Sequence, residues 1–95
     1  MLIVTGTFHL DPADRERFLA SVGDMMRRSR AEDGCHEYCM APDPLEPGRV
    51  ILSERWESRV HLDAHLAAMI PPSDPVPTIS REIVVHEIAS STPLG

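Results

Sequence analysis

Three short apolar runs constrain this chain more than anything else in it. They are LIV at 2–4, VIL at 50–52 and IVV at 83–85. A strand with one face in water alternates apolar and polar residues, whereas a continuous apolar run belongs to a strand covered on both faces. Each run lies within a longer strand-like stretch: LIVTGTFH (2–9), RVILSERW (49–56) and REIVVHEIA (81–89). A fourth stretch, CHEYCMA (35–41), alternates. Its pattern predicts Cys35, Glu37 and Cys39 on one face, and His36, Tyr38 and Met40 on the other.

Helical signals fill two of the gaps. Asp11-Pro12 supplies an N-cap followed by a proline at the first helical position. Phe18, Val22, Met25 and Ser29 then recur at helical spacing, with Leu19 and Met26 beside them. Arg15, Arg17, Arg27 and Arg28 fall mostly off that stripe and read as a solvated face, and Gly34 closes the unit. Residues 58–69 form the second helix, in which Leu62, Leu66 and Met69 define the expected buried line. PDPLEPG (42–48) is a turn, and IPPSDPVPTIS (70–80), with four prolines, excludes a regular element.

The order is β-α-β-β-α-β, an α+β fold of the ferredoxin-like type, in one domain over 1–95. Its antiparallel sheet takes both helices on one face. The apolar runs require cover on the other face too, and no element remains to give it. A second copy is the simplest cover, so we expect a homodimer built sheet against sheet.

Composition narrows the chemistry. The chain has no Lys, no Asn and no Gln, and all nine basic residues are Arg. Schiff-base catalysis, which needs a lysine amine, is excluded. The five glycines lie far apart, so no phosphate-cradling or dinucleotide-binding loop can be written. A net charge of −6 without a basic block argues against nucleic acid or anionic membrane as a partner. No apolar run is long enough to span a bilayer, and MLIVTGTFHL lacks the basic start of a signal peptide. Cys35 and Cys39 sit on one strand, ~13 Å apart, beyond the ~7 Å limit of a disulfide. Free thiols imply a reducing, cytoplasmic location.

The stretches GCHEY (34–38) and ILSERWESRVHLDAHL (51–66), joined by a proline-rich turn, carry a family resemblance. They resemble the antibiotic biosynthesis monooxygenase family of dimeric α+β barrels through Gly34, Cys35, Tyr38, Glu54, Trp56, Leu62 and His65. The resemblance implies a small oxygenase without metal, flavin or haem, acting on electron-rich phenols, hydroquinones or anthrones. The deprotonated substrate is then itself the reductant for O2. The protein supplies a dry pocket, a base and donors for developing negative charge. Two parts of the family pattern are absent: the second histidine beyond the helical one, and the Asn and extra tyrosines of the anthrone-oxidising branch.

His61 and His65 stand four apart on the second helix. Metal binding by the pair would need a third ligand from elsewhere, and Leu62 occupies the Glu position of His-Glu-x-x-His, so no metal is expected. At ~100° per residue His65 falls about 60° off the buried line, facing the space between helix and sheet, while His61 lies at its rim. His65 is either a hydrogen-bonded core histidine or a pocket base suited to proton abstraction near neutral pH. Trp56 is either core or a flat pocket wall, and its indole N–H needs a partner. Glu54, if buried, must be hydrogen-bonded or paired, for instance to an Arg. Tyr38, Leu62 and Met69 complete the expected substrate-binding set. His36 shares Tyr38's face, His86 belongs to sheet or pocket, and His9 is surface. The loop 70–80 is either a stiff connection or a lid.

Three functions follow. The first is a cofactor-independent monooxygenase of quinol, phenol or anthrone type with His65 as base. The second is a non-catalytic dimeric barrel binding a small aromatic molecule. The third is haem binding and degradation, which relies on an Asn, a helical Trp and a downstream His; here the only Trp ends a strand and position 65 is His.

Overall fold

The computed structural model describes residues 1–95. The elements are β1 (Leu2–His9), a 3-10 turn (Pro12–Asp14), α1 (Arg15–Ser21), α2 (Gly23–Arg30), β2 (Cys35–Pro42), β3 (Arg49–Trp56), α3 (Arg59–Ala68) and β4 (Ser80–Glu87). The four strands form one antiparallel sheet in the order β2-β3-β1-β4, which does not close on itself. This is the α+β ferredoxin-like arrangement. No helix is long and apolar enough to cross a membrane.

Local chemistry explains the helix boundaries. The Asp11 carboxylate accepts from the Ala13 N–H at 2.9 Å, and Pro12 opens the 3-10 turn that leads into α1. The expected single helix breaks at Val22, whose φ of −100° and ψ of 2° are not helical. Phe18, Val22, Met25 and Ser29 still all face inward and are buried. Arg15 is not part of a solvated face: its guanidinium donates to the carbonyls of Asp43 and Glu46 at 2.9 and 2.8 Å, fastening α1 to the β2–β3 turn. Ser58, in extended backbone, caps α3 by accepting from the His61 N–H.

Alternation decides the two faces of the sheet. Leu2, Val4 and Phe8 of β1, Val50, Leu52 and Trp56 of β3, and Tyr38 and Met40 of β2 turn toward the helices and are buried. Ile3, Thr5 and Thr7, with Ile51, Ser53 and Cys39, occupy the other face, and none of them is buried. That face is uncovered by its own chain, as its sequence predicts.

Two sequence expectations are corrected. Cys35 pairs with Trp56 and Glu37 with Arg55, so His36 is the extra residue of a β-bulge. Cys35 therefore packs against the core on the helix side, while His36 is exposed and pairs with Glu57 instead of sharing Tyr38's face. Both cysteines are free thiols. On α3 the buried pair is Leu62 and His65, each 2% exposed, whereas Leu66 and Met69 are 55% and 45% exposed. The expected buried line took hydrophobicity as a proxy for burial; a histidine with partners displaces two apolar residues from it.

Candidate functional site

A cavity of about 370 Å³ opens between the helices and the sheet, lined by residues of all four strands. Hydrophobic side chains make up 14 of its 22 lining residues, and a few polar groups converge on it. That is the usual make-up of a small-molecule site. Tyr38, Glu54, Leu62, His65 and Met69 all line it. Leu66 on α3 and Met69 just beyond its end, both exposed, stand at its mouth, and Pro71, Pro72, Pro75, Val76 and Thr78 bring the proline-rich loop in as one wall. Val76 is the loop's buried anchor.

His65 sits at the inner end. Its Nδ1 lies 2.9 Å from a carboxylate oxygen of Glu32. The ring packs against Trp56, with centroids 4.6 Å apart, and against Tyr38 at 5.5 Å. Trp56 itself does not line the cavity: it is 0% exposed and lies behind His65 and Glu54. The expected pocket wall is thus a support, because the indole N–H turns to donate to Glu54 at 2.9 Å. Glu54 takes this indole and not an Arg as its partner. Burial raises the Glu54 pKa above its ordinary 4.5, against the lowering effects of the Trp56 hydrogen bond and nearby His65. Burial, then the neighbouring Glu54 charge, also pushes the Tyr38 phenol well above its ordinary value.

No wholly buried side-chain polar atom lacks a hydrogen-bond partner. The Tyr38 hydroxyl, the second oxygen of Glu54 and Nε2 of His65 take none from the chain. These three atoms therefore reach open space; all three residues line this cavity, and His65 also lines a smaller void beside it. A phenol, a carboxyl and an imidazole thus line one largely apolar void.

The remaining histidines stand apart. His61 packs over Gly34, with its Nδ1 2.7 Å from the Ser58 hydroxyl and its Nε2 3.4 Å from Asp33. A Cβ at Gly34, whose φ is +78°, would lie 2.3 Å from the His61 ring, which is why a glycine precedes Cys35. His86 turns to the outer face and bonds Thr5 at 3.0 Å, and His9 is exposed. No three His, Cys, Asp or Glu side chains lie close enough together to hold one metal ion.

Two polar residues at the site escape sequence reasoning. Glu32 follows α2 in a connecting turn, and its partner is 33 residues away. Arg81 enters the cavity from β4, with its guanidinium 5.9 Å above the Phe8 ring and no carboxylate paired to it. Only the alternation of β4, which puts Arg81 in phase with Ile83 and Val85, gave a signal for the second.

The sequence profile of the family described as antibiotic biosynthesis monooxygenase matches residues 1–69. A Mycobacterium tuberculosis protein named "putative monooxygenase" is 36% identical over 62 residues, which span 65% of this chain and 60% of that protein. An uncharacterized protein of Synechocystis is 26% identical over 98 residues, 98% of this chain and 67% of that one. Among solved structures, a Deinococcus radiodurans protein described as a "putative antibiotic biosynthesis monooxygenase" has a TM-score of 0.76 at 21% identity, covering 100% of this chain and 99% of that one. The structure of the Mycobacterium tuberculosis protein has a TM-score of 0.72 at 24% identity, covering 97% and 98%. Structural likeness at such identities shows the fold alone. The profile covers well over half of the chain, and the chain belongs to the antibiotic biosynthesis monooxygenase family.

Proposed function

We propose that this protein is a cofactor-independent monooxygenase that oxidises a small electron-rich aromatic molecule, of quinol, phenol or anthrone type, with O2. The observation that carries the reading is His65: a buried imidazole, held on one side by Glu32 and open to an apolar cavity on the other. Nε2 takes the acidic proton of the substrate. The resulting anion is the reductant, and on an anthrone-type carbon the balance is CH2 plus O2 giving C=O plus water. Tyr38 and Arg81, both lining the cavity, supply a hydrogen-bond donor and a cation for negative charge that develops on oxygen. Glu54, with its raised pKa, fixes the position of the ring system around it through Trp56.

The working unit in this reading is a homodimer. The sheet's outer face carries Ile3, Ile51 and Val84 among Thr5, Thr7, Ser53 and Cys39, with no charged residue at its centre. Packing against a second copy would cover it. Sedimentation equilibrium should then read twice the 10.6 kDa chain mass; a single-chain mass at micromolar concentration would dismiss the dimer.

The function is tested by oxygen uptake with chelator-treated protein and a panel of hydroquinones and anthrones. Uptake well above the no-protein rate, unchanged by the chelator, is the expected result. Uptake at the no-protein rate across the panel, together with tight binding of the same aromatics, would replace the oxygenase by the binding protein of the same fold.

A further inference from the structure

Two voids meet at His65. One is the 370 Å³ cavity; the other, of about 180 Å³, is lined by Arg28, Ser29, Glu32 and Ala68 among others. His65 belongs to the lining of both, so the imidazole is part of the partition between them. Its side chain is 3% exposed, while that of Glu32 is 29% exposed. A charge on Glu32 therefore keeps contact with water although its partner does not.

We propose that Glu32 is a positioning residue that fixes the tautomer of His65 and so presents Nε2 to the cavity as a free lone pair. The role given to that lone pair rests on the oxygenase reading; the tautomer itself does not. A carboxylate can only accept, so the 2.9 Å contact puts the ring proton on Nδ1. A neutral imidazole carries one ring proton, and fixing it on one nitrogen leaves the other basic. Nε2 has no partner within the chain and reaches open space. Trp56 and Tyr38 hold the ring plane from two sides, which opposes the ring flip that would exchange the nitrogens. The other ionisable groups lining these two voids are Glu54, Tyr38 and Arg81 on the cavity side and Arg28 in the smaller void. None of them hydrogen-bonds to the ring. Glu32 alone decides where the proton sits.

A structural role alone would have Glu32 tie the end of α2 to α3, with no preference between tautomers. Histidine-selective 15N NMR separates the two. The full chain is labelled, His65 is assigned by its loss in His65→Gln, and spectra are read near pH 8, above the ordinary histidine range of about 6.5. The native protein should show a protonated Nδ1 and a pyridine-like Nε2. Glu32→Ala, with an otherwise native amide spectrum, should move the proton to Nε2. Its oxygen uptake should fall by roughly 10–100-fold, the scale on which metal-bound histidines suffer when an outer partner is lost. A native protein with its proton on Nε2 overturns the proposal without any variant, and so does a Glu32→Ala protein that keeps the native tautomer. If the tautomer results hold while no substrate is oxidised, the positioning role stands and the oxygenase reading fails.

Discussion

Replacing His65 with alanine should lower oxygen uptake by about 10²–10⁴-fold, the usual loss when a positioned general base is removed. The argument is electrostatic before it is chemical. A phenol or anthrone entering an apolar cavity cannot release its proton to water, and the lining side chains basic enough to take it up are His65 and Glu54. Glu54 is the poorer choice, since burial already favours its protonated form. The KM for the aromatic should move less than kcat, because the apolar wall of Leu62, Leu66 and Met69 remains although the cavity gains the space of the ring. Raising the pH should partly restore the variant, since a substrate ionised in solution no longer needs the base. Uptake equal in the two proteins at neutral pH would remove His65 from the chemistry.

Trp56→Ala should destabilise the fold by about 3–5 kcal/mol, the range for losing a fully buried large aromatic. The more informative change is Trp56→Phe, which keeps most of the volume and removes the indole N–H that Glu54 accepts from. A buried acceptor left without its donor costs about 1–3 kcal/mol. The cost should depend on pH. The pKa of Glu54 is raised on folding, so its proton-linked contribution is fully present below 4.5 and is lost as pH rises through the folded value. Without the indole the carboxylate is harder still to keep ionised in the core. The gap in urea midpoint between native and Trp56→Phe proteins should therefore be wider at pH 8 than at pH 4. Equal gaps at both pH values would mean that the substitution acts through packing alone.

Much of this geometry was legible in the residues. Period-two alternation put Tyr38 and Met40 on one face of their strand, and the β-α-β-β-α-β order of elements followed from the apolar runs and the helical spacing between them. The lining roles of Tyr38, Leu62, Glu54, His65 and Met69 could be reached from alternation and the GCHEY and SERWESRVHLDAHL stretches. The bulge at His36 could not, because a bulge is a property of two paired strands and no glycine or proline marks this one. Glu32 was hidden for a related reason. Its meaning depends on a partner 33 residues on, and an acid in a connecting turn carries no period to read. The misplaced burial of Leu66 and Met69 came from treating apolar as buried, which fails where a helix overhangs a void.

β4 supplies the cavity with Arg81, Ile83 and Val85, yet none of its eight residues is buried. It is held to β1 by the backbone ladder, by the Thr5–His86 bond and, at its end, to α3 by Arg59 and Glu87. Local resistance to opening follows buried apolar contact, so within a lone chain this strand lies at the soft end of the amide-exchange spectrum, well below Trp56 and Val50 on β3. Amide exchange on β4 should then be faster than on β1 or β3, and a ligand that bridges His65 and Arg81 should slow it.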